Sequence, residues 1–526
     1  MRSLDVPLRI SYGSNAIAAT KKDTGMASQH FLILGLDGLR ADMVTPETTP
    51  NLLRLAELGV HFQQHHSAFP TATRVNIASL VTGAYSGTHG IVNNSIFEPA
   101  VSPDSWVDLG KYDVVEAADT YYQGNLLETP SLGEVLTAHG DTMMAVSSGT
   151  TGSNRLMHHK IKTLGGIGFS AHGIPACYPT SEAERIIEKF GPAPAMGMPD
   201  AARASYITDV FLDHLFPTYQ PCVTILWFSD PDKTFHNCGI GSPEALKAMQ
   251  AADAQLGRVM DWMQQPAQAG RMNVLALSDH GHVTVRRKVA VDEALTAAGI
   301  PAGRGVYGTQ VAVVPSLTGA IHVRDRDAAL VHRIARWLQE QPWCGSIFTP
   351  GKNEVEGIVP GTFARSLVGN EHPRTADIVY IMRTDDERDE NGIVGGCFDD
   401  SSLPIGGSTH GGLSPYELHN VLVAHGPAFQ QGTVNTLPSG TVDVMPTLLH
   451  LMGYDIPETV DGRILTEALA TSSGVPEAEA VPLTYHTEAS TGAGIYRQHL
   501  DATRVGATVY LEHGWVEASA ESSFIN

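Results

Sequence analysis

The sequence predicts an α/β fold in which helices flank a mainly parallel central sheet. Short apolar runs such as FLILGLDG (residues 31–38) and MNVLALSDHG (272–281) are typical of parallel strands that are buried on both faces. They alternate with amphipathic segments, of which SPEALKAMQAADAQLGRVMDWMQQ (242–265) is a long example. Strands that alternate with helices indicate a parallel sheet.

The predicted elements follow one another along most of the chain. Strands are expected at residues 31–38, 142–148, 222–229, 272–278 and 419–427, and helices at 49–62 with Gly59 as a stop, 131–140, 242–265 and 443–453. Ser242 is expected to cap its helix, with Pro243 at the first helical position. The segment ATVYLEH (507–513) is expected to form an edge strand.

Residues 286–404 differ from this pattern and predict an insertion. Within them, residues 319–351 predict a strand, a helix and a second strand, and polar, glycine-rich sequence follows. We therefore expect a core formed by residues 29–285 and 405–526, interrupted by a smaller α+β lid subdomain at 286–404. Residues 1–28 are expected to be an N-terminal extension that precedes the first core strand.

The charge balance limits the class of partner. The 526 residues include 34 Lys and Arg against 56 Asp and Glu, so the formal net charge is −22. An acidic surface of this size repels nucleic acid polymers and anionic membranes, and we therefore expect a small substrate.

Several absences in the sequence predict a cytoplasmic location. The first 30 residues lack the apolar core of a signal peptide, and no run approaches the roughly 18 apolar residues of a membrane span. The cysteines, five in number and without a CxxC pair, do not indicate a disulfide framework. The sequence motifs do not indicate an oligomeric state.

The stretch FPTATRVNIASLVTG (69–83) places hydroxyls, a cation and an amide at the start of an apolar helix. One interpretation is a capping signal, with Thr73 as the N-cap before Ile77 and Leu80 and with Gly83 as the stop. The other is catalytic, because a helix N-terminus attracts anions and a hydroxyl placed there can act as a nucleophile. The two interpretations are compatible.

Acidic residues and histidines collect at the ends of the predicted strands, where open α/β sheets bind ligands. They occur in the segments GLDG, DPDKTFH, SDHG and GSTHGG, and they are Asp37, Asp232, His236, Asp279, His280 and His410. Burying three carboxylates and three histidines together is costly unless cations lie among them. Mixed Asp and His ligation suits two zinc ions and, less well, manganese or iron. Two metals about 4 Å apart form the usual clamp for phosphoryl transfer.

These segments resemble, in the same order, the metal motifs of the type I phosphodiesterase/nucleotide pyrophosphatase family of the alkaline phosphatase superfamily. The segment FPTATRVNIASLVTGAYSGTHGIVNN (69–94) is similar to that family's nucleophile segment. The resemblance covers roughly residues 29–285 and 405–465, and it implies an alkaline-phosphatase-like fold.

The resemblance implies a role for each matching residue. The implied ligands of one zinc ion are Asp232, His236 and His410, and those of the other are Asp37, Asp279, His280 and the Thr73 hydroxyl. Thr73 falls where the family's nucleophile falls, so a covalent phosphothreonine intermediate is implied. Asn94 matches the family's phosphoryl-binding asparagine.

The chain departs from the family directly after the threonine. The family's nucleotide enzymes usually have Phe-Pro-Asn there, whereas this chain has Arg-Val-Asn (74–76), so an aromatic contact to a nucleotide base is in doubt. Arg74 is expected either to meet a phosphate or carboxylate of the substrate or to form a surface ion pair. A Lys-x-Arg pair found in some phosphomonoesterases of the superfamily is absent from residues 147–160, where Arg155 and Lys160 are the candidate substitutes.

The function that the resemblance implies is hydrolysis of phosphodiesters, with a small phosphate ester as the substrate. Hydrolysis of phosphomonoesters or phosphonates on the same fold is the alternative. A catalytically silent binding protein is disfavoured because all six Asp and His ligands and the threonine are present. A sulfatase is disfavoured because Thr73 followed by Arg74 does not fit the C/S-x-P-x-R frame of that class.

Overall fold

The computed structural model describes residues 29–471 and 478–517, and it has the predicted α/β architecture around a nine-stranded sheet. The strands of this central sheet are β1 (His30–Leu36), β2 (Val60–His66), β3 (Met143–Ser147), β4 (Ile167–Ser170), β5 (Val223–Phe228), β6 (Met272–Leu277), β7 (His419–His425), β8 (Thr433–Asn435) and β9 (Ser439–Gly440). The extension predicted at residues 1–28 lies outside the described residues.

The central sheet is mainly parallel, as predicted. Its strand order is β8-β2-β7-β6-β1-β5-β3-β4, and β9 also pairs with β2. Of these strands, β7 runs antiparallel to both of its neighbours, β2 and β6, whereas the other pairs are parallel. In the middle of the sheet, Leu34 of β1 lies opposite Leu226 of β5 and Ala276 of β6.

Helices cover both faces of the central sheet. The longer α-helices of the described part are α1 (Pro50–Leu58), α2 (Thr73–Thr82), α3 (Tyr112–Tyr121), α4 (Leu132–Ala138), α5 (Thr151–Met157), α6 (Thr180–Phe190), α7 (Ala201–Val210), α8 (Asp232–Cys238), α9 (Pro243–Met263), α10 (Val291–Ala297), α11 (Ala328–Leu338) and α12 (Val444–Met452). Side chains alternate along β1, so Phe31 and Ile33 pack with α2 and α12, while Leu32 and Leu34 pack with α1 and α9.

The predicted start of helix α9 is confirmed, whereas strand β2 was not predicted. Ser242 accepts a hydrogen bond from the backbone N–H of Ala245 at 3.0 Å, and Pro243 is the first residue of α9, as predicted. Strand β2 was not predicted, because its sequence VHFQQHH is polar and lacks the regular alternation of a half-buried strand.

The segment 286–404 contributes most of two further sheets. A six-stranded sheet consists of Ala302–Arg304, Val311–Val314, Thr318–Val323, Ile378–Met382, Cys344–Thr349 and Phe363–Ala364. The predicted order of strand, helix and strand at 319–351 is confirmed, since α11 lies between two of these strands. The subdomain boundaries at residues 286 and 404 stay a prediction.

A four-stranded sheet joins both ends of that segment to the core. Strand Val283–Lys288 pairs with Val394–Asp399 and with Ser408–Thr409, and Thr384–Arg388 completes the sheet. The segment therefore leaves and re-enters the core beside the predicted metal ligands at 279–280 and 410.

The C-terminal sheet (residues 480–516) is an antiparallel meander of Ala480–Thr491, Gly494–Val505 and Thr508–Val516. Its last strand is an edge strand, as predicted for 507–513. Gln498 donates to the carbonyl of Ile347 at 3.1 Å, which attaches this sheet to the six-stranded sheet.

Two further features concern the cysteines and the helices. The cysteines of the described part are all free thiols. Among the described residues, no helix combines the length and the hydrophobicity that a bilayer span needs.

Gly35 of β1 lies against the ring of Trp227, and a Cβ built on Gly35 would stand 2.1 Å from that ring. We expect Gly35→Ala to displace this buried ring and to lower the free energy of unfolding by about 1–3 kcal/mol. Urea-unfolding midpoints measure the change. Gly492→Ala is the control, because its nearest neighbour is the flexible carboxylate of Glu340 at 3.0 Å. Equal midpoints for the two variants would contradict the expectation.

Candidate active site

Three carboxylates converge at one edge of the central sheet. Strands β5, β1 and β6 are neighbours, Asp37 directly follows β1, and Asp279 comes two residues after β6. Asp232 is the first residue of α8, which follows β5. Because parallel strands end at the same edge of a sheet, the three side chains meet there.

Three histidines complete the predicted ligand set. His280 follows β6, His236 lies one turn into α8, and His410 follows the strand Ser408–Thr409. The ring centroids of His280 and His410 are 3.7 Å apart, and those of His236 and His410 are 5.1 Å apart. The structure therefore brings all six predicted Asp and His residues together.

The first ligand group joins Asp37, Asp279 and His280. His280 Nε2 lies 3.3 Å from Asp279 Oδ2 and 3.7 Å from Asp37 Oδ1. Both of these carboxylate oxygens are buried and have no hydrogen-bond donor among the described residues. Burial raises the pKa of both carboxyls, and the charges of Asp279 and Asp232 raise the pKa of Asp37 further. Such oxygens are suited to bind a cation.

The second ligand group surrounds Asp232. Asp232 Oδ1 lies 3.2 Å from His236 Nε2 and 3.5 Å from His410 Nε2. Burial alone raises the pKa of Asp232, but the charges and hydrogen bonds of His236 and His282 outweigh burial and hold the pKa well below its usual value. Asp232 is therefore an anion among imidazoles, which is the state that a metal ligand needs.

The separations and the tautomers are compatible with divalent metal ions. The ligand atoms that all lie within 4.8 Å of one another form the sets Asp37–Asp279–His280, Asp232–His280–His410 and Asp232–His236–His282, so the structure groups His410 with His280, and His236 with His282, rather than His236 with His410. Two ligands that each lie about 2.1 Å from a tetrahedral ion are about 3.4 Å apart, and the separations above span 3.2–3.7 Å. The Nδ1 atom of each of the three predicted histidine ligands contacts a backbone carbonyl, which can only accept, so Nδ1 is protonated and, in a neutral ring, Nε2 has a lone pair. These carbonyls belong to Gly281 for His280 (3.1 Å), Ser408 for His236 (2.7 Å) and Thr71 for His410 (2.8 Å).

The Thr73 hydroxyl lies beside the first ligand group. Helix α2 begins at Thr73, Ala72 occupies the N-cap, and no side chain caps the helix. The prediction that Thr73 is the N-cap is therefore wrong by one residue, because periodicity locates a helix end only to within one or two residues. Thr73 is buried, and its Oγ1 lies 3.1 Å from His280 Nε2. The hydroxyl thus faces the ligands.

Thr71 has a different environment. Its hydroxyl donates to the carbonyl of Gly412 at 3.0 Å and accepts from the N–H of Gly411 at 3.1 Å. Thr71 therefore supports the loop that carries His410.

Arg74 is the second residue of α2, and Asn94, which follows in a later loop, contacts it. Asn94 Oδ1 accepts from the backbone N–H of Arg74 at 2.9 Å, which orients the amide and leaves its NH2 group as a donor. Arg74 Nη2 donates to Thr150 Oγ1 at 3.1 Å, and the guanidinium forms no ion pair with a described residue. Burial and the neighbouring carboxylates raise the pKa of Asp37, and the charge of Arg74 opposes that rise, so the guanidinium is close to the site.

The candidate substitutes for the missing Lys-x-Arg pair are bound elsewhere. Arg155 forms an ion pair with Glu116, and Lys160 forms one with Glu134 at 2.7 Å. Neither cation joins the two ligand groups.

Sequence reasoning missed two residues of this site. His282 Nε2 donates to Asp232 Oδ1 at 3.0 Å, and the Ser408 hydroxyl donates to His282 Nδ1 at 2.9 Å. Burial lowers the pKa of His282 to about 3, so its ring is neutral. Trp227 Nε1 donates to Asp37 Oδ2 at 2.9 Å. The sequence offered a signal for His282, because it lies two residues after the predicted ligand His280. It offered no signal for Trp227.

Comparison with known proteins gives the same family as the motifs. The model of the type I phosphodiesterase / nucleotide pyrophosphatase family matches residues 31–383. Venom phosphodiesterase of Naja atra is 26% identical over 266 residues, which cover 50% of this chain and 27% of the snake protein. Ectonucleotide pyrophosphatase/phosphodiesterase family member 3 of Bos taurus is 23% identical over 252 residues, which cover 48% of this chain and 24% of the bovine protein. This chain thus spans about a quarter of the length of these relatives.

Solved structures show a similar fold. Murine ectonucleotide pyrophosphatase / phosphodiesterase 5 superposes with a TM-score of 0.58 at 20% identity, covering 84% of this chain and 100% of the murine chain. The human protein of that name gives a TM-score of 0.57 at 19% identity. This likeness confirms the alkaline-phosphatase-like fold. Because the family model matches most of its length, the chain belongs to the type I phosphodiesterase / nucleotide pyrophosphatase family.

Proposed function

We propose that this protein hydrolyses small phosphodiesters through a covalent phosphothreonine intermediate, with two zinc ions as cofactors. Manganese and iron are the other metals that such ligands accommodate. The observation that carries the proposal is the buried Thr73 hydroxyl, 3.1 Å from His280 Nε2, beside two carboxylate oxygens without a donor. Family membership and the phosphodiesterase names of the relatives support the reaction class.

Each ligand group would hold one ion. Asp37, Asp279, His280 and the Thr73 hydroxyl would hold the first, and Asp232, His236 and His410 would hold the second. When bound, the two ions supply Lewis acidity, which lowers the pKa of hydroxyl groups and water and stabilises negative charge on a leaving oxygen.

The proposed hydrolysis has two steps, and Thr73 takes part in both. In the first step, Thr73 Oγ1 attacks phosphorus, the bond to the leaving alcohol breaks, and the phosphoryl group is transferred to Thr73. The N-terminus of α2 and the NH2 group of Asn94 would bind the phosphoryl oxygens, and the bond from the Arg74 N–H to Asn94 Oδ1 supports this role. In the second step, water attacks phosphorus, the monoester leaves, and Thr73 is regenerated. Two in-line displacements retain the configuration at phosphorus.

Arg74 favours a substrate that carries a second anionic group. Its guanidinium lies near Asp37 and forms no ion pair with a described residue, so it is free to bind a phosphate or carboxylate. The same observation supports the alternative function, hydrolysis of phosphomonoesters or phosphonates, because a monoester dianion carries an additional charge for Arg74.

Residues 286–404 are proposed to act as the lid that selects the substrate. Thr318 of the six-stranded sheet accepts a hydrogen bond through its carbonyl from Asn93 at 3.0 Å, and its hydroxyl donates to the carbonyl of Gly411 at 2.6 Å. The segment therefore touches both the nucleophile segment and the loop of His410.

Thr73→Ala is expected to lower the turnover of bis-p-nitrophenyl phosphate by several orders of magnitude, because the Thr73 hydroxyl is the proposed nucleophile. Thr73→Ser keeps a hydroxyl and should retain much of the activity, and Thr71→Ala should lose far less than Thr73→Ala. Steady-state kinetics measure these losses, and a chiral substrate should show retention at phosphorus. Inversion, or a Thr71→Ala variant as inactive as Thr73→Ala, would refute the role of Thr73.

Asp279→Asn and His410→Ala are each expected to remove one metal ion per chain, because each loses a ligand of a different group. Elemental analysis of zinc-loaded and desalted protein measures the content relative to wild type. Asp261→Asn is the control, since this carboxylate is exposed and lies 3.8 Å from Arg54. Unchanged metal content in both ligand variants would show that the groups are not metal sites.

A substrate panel separates the two functions and tests Arg74. We expect the highest kcat/KM with bis-p-nitrophenyl phosphate, ahead of p-nitrophenyl phosphate and p-nitrophenyl phenylphosphonate. Arg74→Ala should lower kcat/KM by about 10–100-fold for a diester with an added carboxylate, as expected for one lost charged hydrogen bond, and should barely affect the neutral-tailed diester. Arg54→Ala serves as the exposed control. A preference for the monoester would favour the alternative function.

A further inference from the structure

A second cluster of metal-ligating side chains lies outside the candidate active site. It consists of His66 at the end of β2, His419 at the start of β7, and Glu512 in the strand Thr508–Val516. His66 and His419 are directly opposite each other in the antiparallel pair β2–β7. The cluster shares no residue with the two groups described above.

Both imidazoles point at the same carboxylate oxygen. Glu512 Oε2 lies 3.0 Å from His66 Nε2 and 2.9 Å from His419 Nε2. Two ligands about 2.1 Å from one ion and at right angles to each other are about 3.0 Å apart. Both Nε2–Oε2 separations therefore fit two ligands of an octahedral ion, and the three ligand atoms all lie within 4.8 Å of one another.

The hydrogen bonds of His66 direct its Nε2 atom at the carboxylate of Glu512. His66 Nδ1 lies 2.9 Å from the carbonyl oxygen of Ser439, and a carbonyl can only accept, so Nδ1 carries the proton. In the neutral ring, Nε2 then presents its lone pair to Glu512 Oε2. Two lone pairs at this distance repel each other unless a cation lies between them, and a backbone bond at the far nitrogen is typical of metal-bound histidine.

One side of the cluster is buried, and the other side is exposed to solvent. The His66 side chain is 1% exposed and stacks on Tyr510 with a centroid distance of 5.5 Å. The Glu512 and His419 side chains are 23% and 40% exposed. One buried ligand thus fixes the position, while solvent reaches the outer side, where water can fill the remaining coordination positions.

We propose that His66, His419 and Glu512 bind a divalent transition-metal ion that cross-links the C-terminal sheet to the central sheet. The three ligands come from three strands, two of the central sheet and one of the C-terminal sheet. The ion joins residues that are far apart in the sequence, so it stabilises their docking.

The test counts metal ions and measures thermal stability in the full-length protein. Zinc-loaded, desalted wild type should contain one ion per chain more than His419→Ala and more than Glu512→Gln, while both variants keep the wild-type activity on bis-p-nitrophenyl phosphate. Added zinc should raise the thermal unfolding midpoint of the EDTA-treated Asp279→Asn protein, and should raise it less when His419→Ala is combined with it. These differences concern the cluster alone, whatever the active site binds.

His61→Ala is the matched control, since His61 lies on the same strand and outside the cluster. The exposed His419 is the position to vary, because replacing the buried His66 risks the fold. Equal zinc content in wild type and His419→Ala would overturn the proposal and show that a proton bridges the triad. A loss of zinc as large in His61→Ala would overturn it as well, because it would indicate adventitious surface binding.

Discussion

Three carboxylate side chains lie close together where β5, β1 and β6 end. The cost of burying them and their mutual repulsion determine what the site can bind. Asp37 and Asp279 are buried, and each has an oxygen without a hydrogen-bond donor among the described residues. Burial raises the pKa values of both carboxyls, and the neighbouring carboxylates raise them further, so a cation at this place would stabilise their charged forms. Imidazoles lie beside these carboxylates, and the Thr73 hydroxyl is 3.1 Å from His280 Nε2. The fold therefore brings the carboxylates so close together that the site is suited to bind cations.

The loop around residue 408 fixes the orientation of two candidate metal ligands, His236 and Asp232. The Ser408 carbonyl accepts from His236, and the Ser408 hydroxyl donates to His282, which in turn donates to Asp232. One serine therefore orients a ligand directly and a second ligand through an intermediate imidazole. Such outer hydrogen bonds settle the tautomers and the ring angles before any ion binds, and they lower the reorganisation that binding requires.

The six candidate ligands were identified from the sequence, because five of them lie in the segments that follow the apolar strands β1, β5 and β6, and His410 lies in the motif GSTHGG. Contacts across the sheet were not. Trp227 reaches Asp37 only because β5 is the neighbour of β1, and the sequence does not state the strand order. Strand β2 was missed for a related reason: its polar His66 is buried beneath Tyr510, which is distant in the sequence. Long-range pairing, rather than local propensity, decided both cases.

Hydrogen bonds in the segment between β2 and α2 fix the position of Thr73, the proposed nucleophile. Asn76, on the first turns of α2, accepts from the N–H of Ala68 at 2.7 Å and donates to the carbonyl of Ala68 at 3.1 Å, which closes residues 68–76 into a loop. Ser67 donates to the carbonyl of Asp279 at 2.6 Å, so the same segment is attached to the first ligand group. The side-chain amide of Asn76 therefore has a structural role. It fixes the backbone that carries Thr73, and the Thr73 hydroxyl lies beside His280 without acting as a helix cap. Preorganisation of this kind keeps the Thr73 hydroxyl beside the first ligand group without first ordering a loop.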